Sequence, residues 1–175
     1  MIRQRKYRLN KIMSMQQIIL EPIGTIYTPH EQIDGMPVQP AGAAGVTGKA
    51  VLRNEYVEGL TDLDGFSHAT LIYHFHKAEG YVLMPIPFMD TKPHGIFATR
   101  APKRPNHIGI STVRILSIEG NTIVFEGADM LNETPLIDIK PYFPKYDSPA
   151  DTKSGWLDKA AHAQCSNVRS DNRFK

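Results

Sequence analysis

The chain has 175 residues, 41% of them hydrophobic, which fits a single globular domain with one core. Its formal net charge of +2 is too small to establish a nucleic-acid partner, and no apolar run approaches the roughly 18 residues of a membrane-spanning helix. The single cysteine, Cys165, excludes an internal disulfide and a cysteine zinc cluster, and it fits a reducing compartment.

The first fifteen residues are basic and contain no acidic side chain. They lack the apolar core of a secretory signal. Three interpretations stay open: an organelle-targeting peptide, a basic RNA-binding arm, and a disordered extension upstream of a start at Met13 or Met15. We expect the last, and residues 1–18 are therefore kept out of the fold prediction.

Short segments rich in β-branched and aromatic residues recur from Glu21 onward, bounded by Gly, Pro, Asn or Asp. In chain order they predict strands over Pro22–Thr28, Thr47–Arg53, Phe66–His76, Gly95–Arg100, Gly109–Ile118, Thr122–Ala128 and Leu136–Phe143. Helices are predicted over Tyr56–Leu63 and Asp151–Gln164. The polar stretch Ser166–Lys175 is expected to fray.

The order of these elements predicts a mainly β fold. Strands follow strands with few helices between them, whereas parallel sheets need long helical crossovers. An antiparallel sheet or barrel is therefore favoured. No G-x-G-x-x-G motif is present, and the glycines before Lys49 have the wrong spacing for a phosphate-binding loop.

The most informative segment is the basic run that begins at Arg100. Pro102 and Pro105 forbid a helix, so the three cations between Arg100 and Arg104 are displayed on a stiff loop. No acidic residue occurs from Thr91 to Ile118. Guanidinium groups bind phosphates and carboxylates through paired hydrogen bonds, although a solvated surface loop would have the same composition.

A second segment contains an acid and a base two residues apart on one predicted strand. Because side chains alternate along a strand, Asp138 and Lys140 share one face, and Ile137 and Ile139 share the other. An exposed ion pair is the simpler interpretation of this pattern, and a pair that faces a cleft is the other.

His74 and His76 also alternate along a strand and point the same way, a geometry that some zinc sites use. No third ligand is evident beside them. We therefore predict no metal site.

Two of these segments resemble the TrmO family, also described as YaeB-like or TsaA-like. Gly95–Ser111 is similar to the family signature G-x-F-A-T-R-[AS]-P-x-R-P-N-x-I-G-x-S. Asp129–Tyr142 is similar to D-x-L-x-x-T-P-[LV]-[LIV]-D-I-K-P-Y. Two long motifs at this separation are highly specific, and the similarity runs in order from Glu21 to about Pro144.

The resemblance implies a single-domain antiparallel β-barrel with few short helices and no Rossmann fold, over residues 19–150. A C-terminal helix and tail would follow over residues 151–175. The implied activity is that of a cytoplasmic S-adenosylmethionine-dependent methyltransferase, usually a homodimer, with no metal and no membrane association. Its implied substrate is the exocyclic amino nitrogen of threonylcarbamoyl-adenosine next to the anticodon of tRNA.

The resemblance also implies which residues hold the cofactor. By analogy these are Pro40, Ala41, Gly42, His76, Lys77, Arg100, Ile110, Asp129, Met130, Leu131 and Asn132. Two positions depart from the family pattern. Ala41 separates Pro40 from Gly42, and Glu133 stands where glycine is frequent, so a positive φ there would be strained.

Catalysis requires a base, because the acylated amino nitrogen must lose a proton. Asp138 is the first candidate and Asp129 the second, and Lys140 would orient Asp138 or bind the threonyl carboxylate.

RNA contacts are assigned to Lys103 and Arg104, for tRNA phosphates or the substrate carboxylate, and to Tyr142, for stacking on a base. Phe97 and Phe143 are further stacking candidates, although Phe97 is expected in the core. Two alternatives stay open. One is a non-enzymatic barrel that binds RNA or a nucleotide, and the other is a methyltransferase with a different acceptor.

Overall fold

The computed structural model describes residues 17–160 and 168–174 of the chain. Its strands are β1 (Gly24–Tyr27), β2 (Thr47–Leu52), β3 (His68–His74), β4 (Ile108–Glu119), β5 (Thr122–Glu126) and β6 (Thr134–Pro141). They form a closed antiparallel barrel in the spatial order β1-β2-β5-β4-β3-β6. The predicted mainly β barrel with few short helices is confirmed. The basic segment up to Met15 lies outside the described residues.

Side chains along the strands alternate between the barrel interior and its outer surface. In β5, for example, Ile123 and Phe125 are fully buried, whereas Thr122, Val124 and Glu126 keep some exposure. The largest buried side chains that the strands contribute are Ile26, Leu71, Val113, Ile123, Phe125 and Leu136. The interior is thus a packed core, and a ligand must bind at an end or on the outside of the barrel.

The segment Gly95–Arg100 is not a strand, so this prediction is wrong. It contains a 3-10 helix over Ile96–Ala98. Two of its backbone hydrogen bonds are those of a turn, from Ala98 N to Gly95 O at 2.8 Å and from Thr99 N to Ile96 O at 3.1 Å, and a single bond from Ile96 N to Leu83 O at 2.9 Å joins it to the loop after β3. Because the six described strands already close the barrel, they leave no sheet edge with which this segment could pair.

The helical segments are short. The predicted helix over Tyr56–Leu63 corresponds to 3-10 helices over Asn54–Leu60 and Leu63–Gly65. The predicted helix over Asp151–Gln164 is, up to residue 160, only a 3-10 helix over Gly155–Lys159, and residues 161–164 lie outside the described part. An α-helix, α1 (Pro144–Asp147), follows β6. None of the helices described is both long and apolar enough to cross a membrane.

The described part of the C-terminal tail is attached to the domain, contrary to the expectation that it frays. Gly35 N donates to Ser170 O and Ser170 N donates to Met36 O, both at 2.9 Å. Phe174 is 4% exposed and packs edge-on against Phe88, with ring centroids 5.0 Å apart. The prediction followed from the polar composition of this stretch, but its single aromatic side chain, Phe174, is enough to anchor it.

Candidate active site

One end of the barrel borders a cavity of about 670 Å³. β3 ends and β4 begins at this cavity, and the segment between β5 and β6 contributes to its lining, because neighbouring antiparallel strands start and finish at the same end. The loops that follow β1 and β3 provide most of the remaining walls. Arg100 and Asp129–Leu131 line this same cavity. The two sequence motifs therefore converge where the strands end.

Asp129 is the acidic side chain of the described cavity lining. Its Oδ1 accepts a 2.7 Å hydrogen bond from Ser111 Oγ. The residue keeps some surface exposed, but burial of the carboxyl raises its pKa to about 7. The Ser111 hydroxyl and the positive charge of Arg100 oppose this rise. Asp129 therefore changes its charge near neutral pH, the range that best suits a general acid or base.

Arg100 lines the cavity from the loop between β3 and β4. Its guanidinium Nη1 donates a 3.1 Å hydrogen bond to Oε1 of Gln39, on the loop after β1. The residue as a whole is exposed, so its remaining donors can reach a ligand. Arg100 thus supplies a positive charge near the Asp129 carboxyl.

Five other residues predicted to hold the cofactor also line the cavity: His76, Lys77, Ile110, Met130 and Leu131. Burial, together with the positive charge of Lys77, lowers the pKa of His76. The His76 ring is therefore neutral at pH 7, with one nitrogen able to accept a hydrogen bond.

Four predicted cofactor residues lie outside this lining: Pro40, Ala41, Gly42 and Asn132. The first three belong to a 3-10 helix over Pro40–Ala43, next to Gln39. The side chain of Asn132 is engaged elsewhere, because its Oδ1 accepts from Thr28 N at 3.1 Å and its Nδ2 donates to Glu31 Oε1 at 2.9 Å. This asparagine joins the loop after β1 to the segment before β6.

Glu133 has a φ of 60°, in the left-handed region that favours glycine. The turn before β6 therefore has a conformation that suits glycine, and the positive φ anticipated as strained at this position is present. A glutamate tolerates it at a cost of order 1 kcal/mol.

Asp138 and Lys140 do not line the cavity. Lys140 Nζ lies 2.9 Å from Asp138 Oδ2, with side chains 64% and 44% exposed respectively. The two side chains share one face of β6, as predicted, and this face is the outer one. Leu136, two residues before Asp138, is nevertheless fully buried, because a register shift between Leu136 and Asp138 interrupts the alternation. Alternation separates the two faces of a strand but does not show which face meets solvent. The sequence therefore could not distinguish a solvent-facing pair from a cleft-facing pair.

The three residues predicted to contact RNA are dispersed. Arg104 lines the cavity, and its Nη1 donates to the carbonyl oxygens of Thr99 and Ala101 at 3.1 and 3.3 Å. Lys103 is half-buried beside it and does not line the cavity. Tyr142 contacts the edge of the His68 ring, with centroids 6.3 Å apart, and also lies outside the cavity lining.

Phe97 was expected in the core, and this expectation is wrong. The side chain is 79% exposed and lines the cavity. An exposed aromatic ring at this position can stack on a base or a cofactor.

Some residues of the site escaped the sequence analysis. Tyr73 and Ser111 form a buried hydrogen-bonded pair beneath Asp129, and Trp156 and Phe174 line the cavity from the C-terminal segment. Ser111 is the last position of the first motif, so the motif offered a signal for it. Trp156 and Phe174 lie beyond both motifs, and nothing in their local pattern points to the site.

Comparisons with known proteins agree with this geometry. The profile of the tRNA-methyltransferase O N-terminal domain matches residues 25–148. A probable S-adenosyl-L-methionine-binding protein of Pyrococcus abyssi is 43% identical over 157 residues, which cover 90% of this chain and 85% of that protein. The human tRNA (adenine(37)-N6)-methyltransferase is 34% identical over 143 residues, which cover 75% of this chain and 32% of the human protein.

Solved structures show the same barrel. The crystal structure of TrmO from Pseudomonas aeruginosa superposes with a TM-score of 0.68 at 35% identity, over 80% of this chain and 62% of that chain. This chain thus spans about a third of the human enzyme and less than two thirds of the Pseudomonas one. With matches over most of its barrel in both sequence and structure, the chain belongs to the tRNA-methyltransferase O family.

Proposed function

We propose that the chain methylates the exocyclic amino nitrogen of threonylcarbamoyl-adenosine beside the anticodon of tRNA, with S-adenosylmethionine as the methyl donor. Membership of the family and similarity to a tRNA (adenine(37)-N6)-methyltransferase support tRNA methylation. Relatives from Pyrococcus abyssi and Archaeoglobus fulgidus that are named as S-adenosyl-L-methionine-binding proteins support the cofactor. The observation that carries the proposal is the Asp129 carboxyl in the cavity, near Arg100.

The cavity suits S-adenosylmethionine in size and chemistry. Its volume of about 670 Å³ lies within the range of small-molecule sites, about 300–1,000 Å³. Its lining is largely apolar, including Phe75 and Met130, with polar groups at a few points. The cofactor carries a sulfonium, an ammonium and a carboxylate, and the cavity offers an acid in Asp129 and a cation in Arg100. The residues present fit the group.

Arg100 and His76 would hold the cofactor in place. The guanidinium of Arg100 matches a carboxylate, and the neutral His76 ring can accept a hydrogen bond from an ammonium or a hydroxyl. The backbone at Ile110 and the side chains of Met130 and Leu131 would bury its apolar surface. When bound, the cofactor supplies an electrophilic methyl group on sulfur.

Asp129 is the base in this proposal. The acceptor nitrogen carries an acyl group and is a weak nucleophile while it keeps its proton. The Asp129 carboxylate would accept the proton of that nitrogen, and the cofactor would supply the methyl group that replaces this proton. A pKa of about 7 leaves a large fraction of Asp129 ionised at neutral pH, and still basic enough to accept the proton.

Asp138 receives no catalytic role in this proposal, because it is paired with Lys140 away from the cavity. Arg104 and Lys103 lie at or beside the cavity, and we retain them as partners for tRNA phosphates. Phe97, 79% exposed, is better placed than Tyr142 to stack on a base of the anticodon loop.

The proposal extends to a cytoplasmic homodimer. Support for a dimer comes from an exposed apolar strip on the loop after β3, where Val82, Leu83, Met84 and Ile86 are 43–58% exposed. Such a strip is typical of an interaction surface. Sedimentation velocity of the full chain measures the assembly, and a monomer at micromolar concentration would contradict it. A tRNA substrate and a single cysteine are in keeping with a cytoplasmic location.

The experiment incubates the purified chain with S-adenosylmethionine and tRNA that contains threonylcarbamoyl-adenosine, followed by mass spectrometry of the nucleosides. A gain of one methyl group on this nucleoside is expected, and tRNA without the threonylcarbamoyl group should stay unmodified. Asp129→Asn should abolish the product, and Asp138→Asn, the matched exchange outside the cavity, should not. The reverse result would assign the role of general base to Asp138. Calorimetric titration that finds no S-adenosylmethionine binding would favour a plain RNA-binding module.

A further inference from the structure

Two buried hydroxyl groups, those of Tyr73 and Ser111, are joined by a hydrogen bond, and the second is hydrogen-bonded to the Asp129 carboxyl. We propose that Tyr73 and Ser111 are positioning residues, which hold Oδ1 of Asp129 and leave Oδ2 as the oxygen that receives the proton from the acceptor nitrogen. This inference rests on the proposed role of Asp129 as the base. It adds the requirement that the Asp129 carboxyl be oriented by two successive hydrogen bonds, from Tyr73 to Ser111 and from Ser111 to Asp129.

The direction of the hydrogen bonds supports this arrangement. Ser111 Oγ donates to Asp129 Oδ1 at 2.7 Å, and Tyr73 Oη lies 3.1 Å from Ser111 Oγ. A serine hydroxyl has one hydrogen, so the Tyr73 hydroxyl must be the donor in the second contact. Both donors thus point towards the carboxyl. A chain of this polarity stabilises the ionised form of Asp129 and fixes the oxygen that it binds.

The two hydroxyl groups are held by paired strands of the barrel. Tyr73 and Ser111 are 3% and 1% exposed and belong to β3 and β4, which are paired along seven residues of each strand. A group built on paired strands keeps its position better than one on a loop. Polar groups buried at these two places in a barrel core are costly unless they bind a partner, and Asp129 is that partner.

Polar and titratable groups lie near Asp129 on several elements. Burial raises the pKa of Asp129, and the Ser111 hydroxyl, a backbone hydrogen bond at Asp129 and the Arg100 charge, in that order, lower it. Burial and the Asp129 charge raise the pKa of Tyr73, so its hydroxyl stays protonated and remains a donor. His30, on the loop after β1, contacts the neighbouring Ala128 carbonyl at 2.9 Å. Removal of the Ser111 hydroxyl should therefore raise the pKa of Asp129.

The experiment is a carboxyl NMR titration of the full-length chain, selectively labelled at aspartate, without cofactor. Ser111→Ala should raise the pKa of Asp129 by about one unit. Tyr73→Phe should raise it by less, because Tyr73 acts through Ser111. For the same reason the double variant should match Ser111→Ala alone. The matched control is Thr112→Val, which breaks a 3.1 Å hydroxyl pair with Thr70 between the same two strands and should leave the titration unchanged.

Methylation assays provide the second measurement. Ser111→Ala should lower kcat about tenfold or more at pH 7, and the acid limb of its pH profile should move to higher pH, so that part of the rate returns at pH 9. Ser111→Thr keeps the hydroxyl and should restore most of the rate. A purely structural role would instead lower the rate equally at every pH.

The outcomes separate the two proposals. If Asp129→Asn keeps full turnover, the proposed base fails. If Asp129→Asn is inactive but Ser111→Ala and Tyr73→Phe leave both the titration and the pH profile unchanged, only the positioning role fails. Circular dichroism establishes that each variant folds. Should Ser111→Ala not fold, Tyr73→Phe decides the question by itself, because it keeps the ring that fills the core.

Discussion

Gly109 and Tyr73 are cross-strand partners in β4 and β3, and a Cβ atom on residue 109 would lie 2.2 Å from Cε2 of the Tyr73 ring. The ring therefore occupies the space in which any other side chain would begin. We predict that Gly109→Ala displaces Tyr73, costs about 1–3 kcal/mol of stability and breaks the hydroxyl chain to Asp129. Urea unfolding measures the first effect and the Asp129 titration the second.

Gly65→Ala is the control for this substitution, because a Cβ atom there meets nothing within 4 Å. It should change stability by less than about 0.5 kcal/mol. A Gly109→Ala variant as stable as the wild type would show that the tyrosine ring can move without cost.

Asp129→Asn should stabilise the protein in alkaline solution. The pKa of Asp129 is 3.8 ordinarily and about 7 when folded, so the unfolded chain releases this proton first as the pH rises. The carboxyl therefore lowers stability progressively between about pH 4 and pH 7, and fully above that. At about 1.4 kcal/mol for each pKa unit, the gain in the asparagine variant is at most about 4 kcal/mol at pH 8.

Urea unfolding at pH 4.5, 6, 7 and 8 measures this dependence. The difference between the variant and the wild type should shrink towards pH 4.5, because the pH then approaches the ordinary pKa of 3.8 at which the unfolded carboxyl also binds its proton. Asp138→Asn, the exposed counterpart, should show no comparable trend. A constant difference across the series would mean that Asp129 titrates near its ordinary range.

The barrel was largely predictable because its strands obey a period of two. β1, β2, β3 and β5 lie within the predicted segments, and β6 begins two residues before the predicted Leu136–Phe143. The segment at Gly95–Arg100 has the same composition but folds into a local 3-10 turn, since Phe97 faces the cavity and no strand is left to pair with it. Whether a β-rich segment finds a partner is decided by the whole sheet and not by its own residues.

The site was predictable only in part. The motifs gave Arg100 and Asp129, but the choice between Asp129 and Asp138 depends on which residue the fold buries, and that is a tertiary property. Trp156 lines the cavity, and its Nε1 donates a 2.8 Å hydrogen bond to Ala98 O. These two residues are 58 positions apart in the sequence. A contact of that range leaves no trace in the local pattern.

Arg100→Ala should weaken S-adenosylmethionine binding about tenfold or more, because a charge-assisted hydrogen bond contributes about 1.5–3 kcal/mol. Isothermal titration calorimetry measures the change. Arg114→Ala is the matched control, since this arginine has a 64% exposed side chain that lies 3.8 Å from Glu126 on the outer surface of the barrel. Equal affinity in the Arg100 variant and the wild type would remove Arg100 from the cofactor site.

The C-terminal tail forms part of the cavity wall, through Ser170 and Phe174. Phe174 packs against Ile96 and Ala101 beside Phe88, in a cluster separate from the barrel core. Phe174→Ala removes a buried aromatic ring, a change that costs about 3–5 kcal/mol in a rigid core. Because this cluster is small, the loss should appear mainly as local opening, with a smaller effect on the melting temperature.

Hydrogen exchange tests this prediction at the two backbone bonds that join the tail to the loop after β1. The amides of Gly35 and Ser170 should exchange faster in Phe174→Ala, while amides of the barrel strands keep their protection. S-adenosylmethionine affinity should fall as well, because Phe174 and Ser170 line the cavity. Phe143→Ala is the control, since that ring is 41% exposed and lies outside the cavity lining. Unchanged exchange and affinity in Phe174→Ala would show that the loops hold the cavity open without the tail.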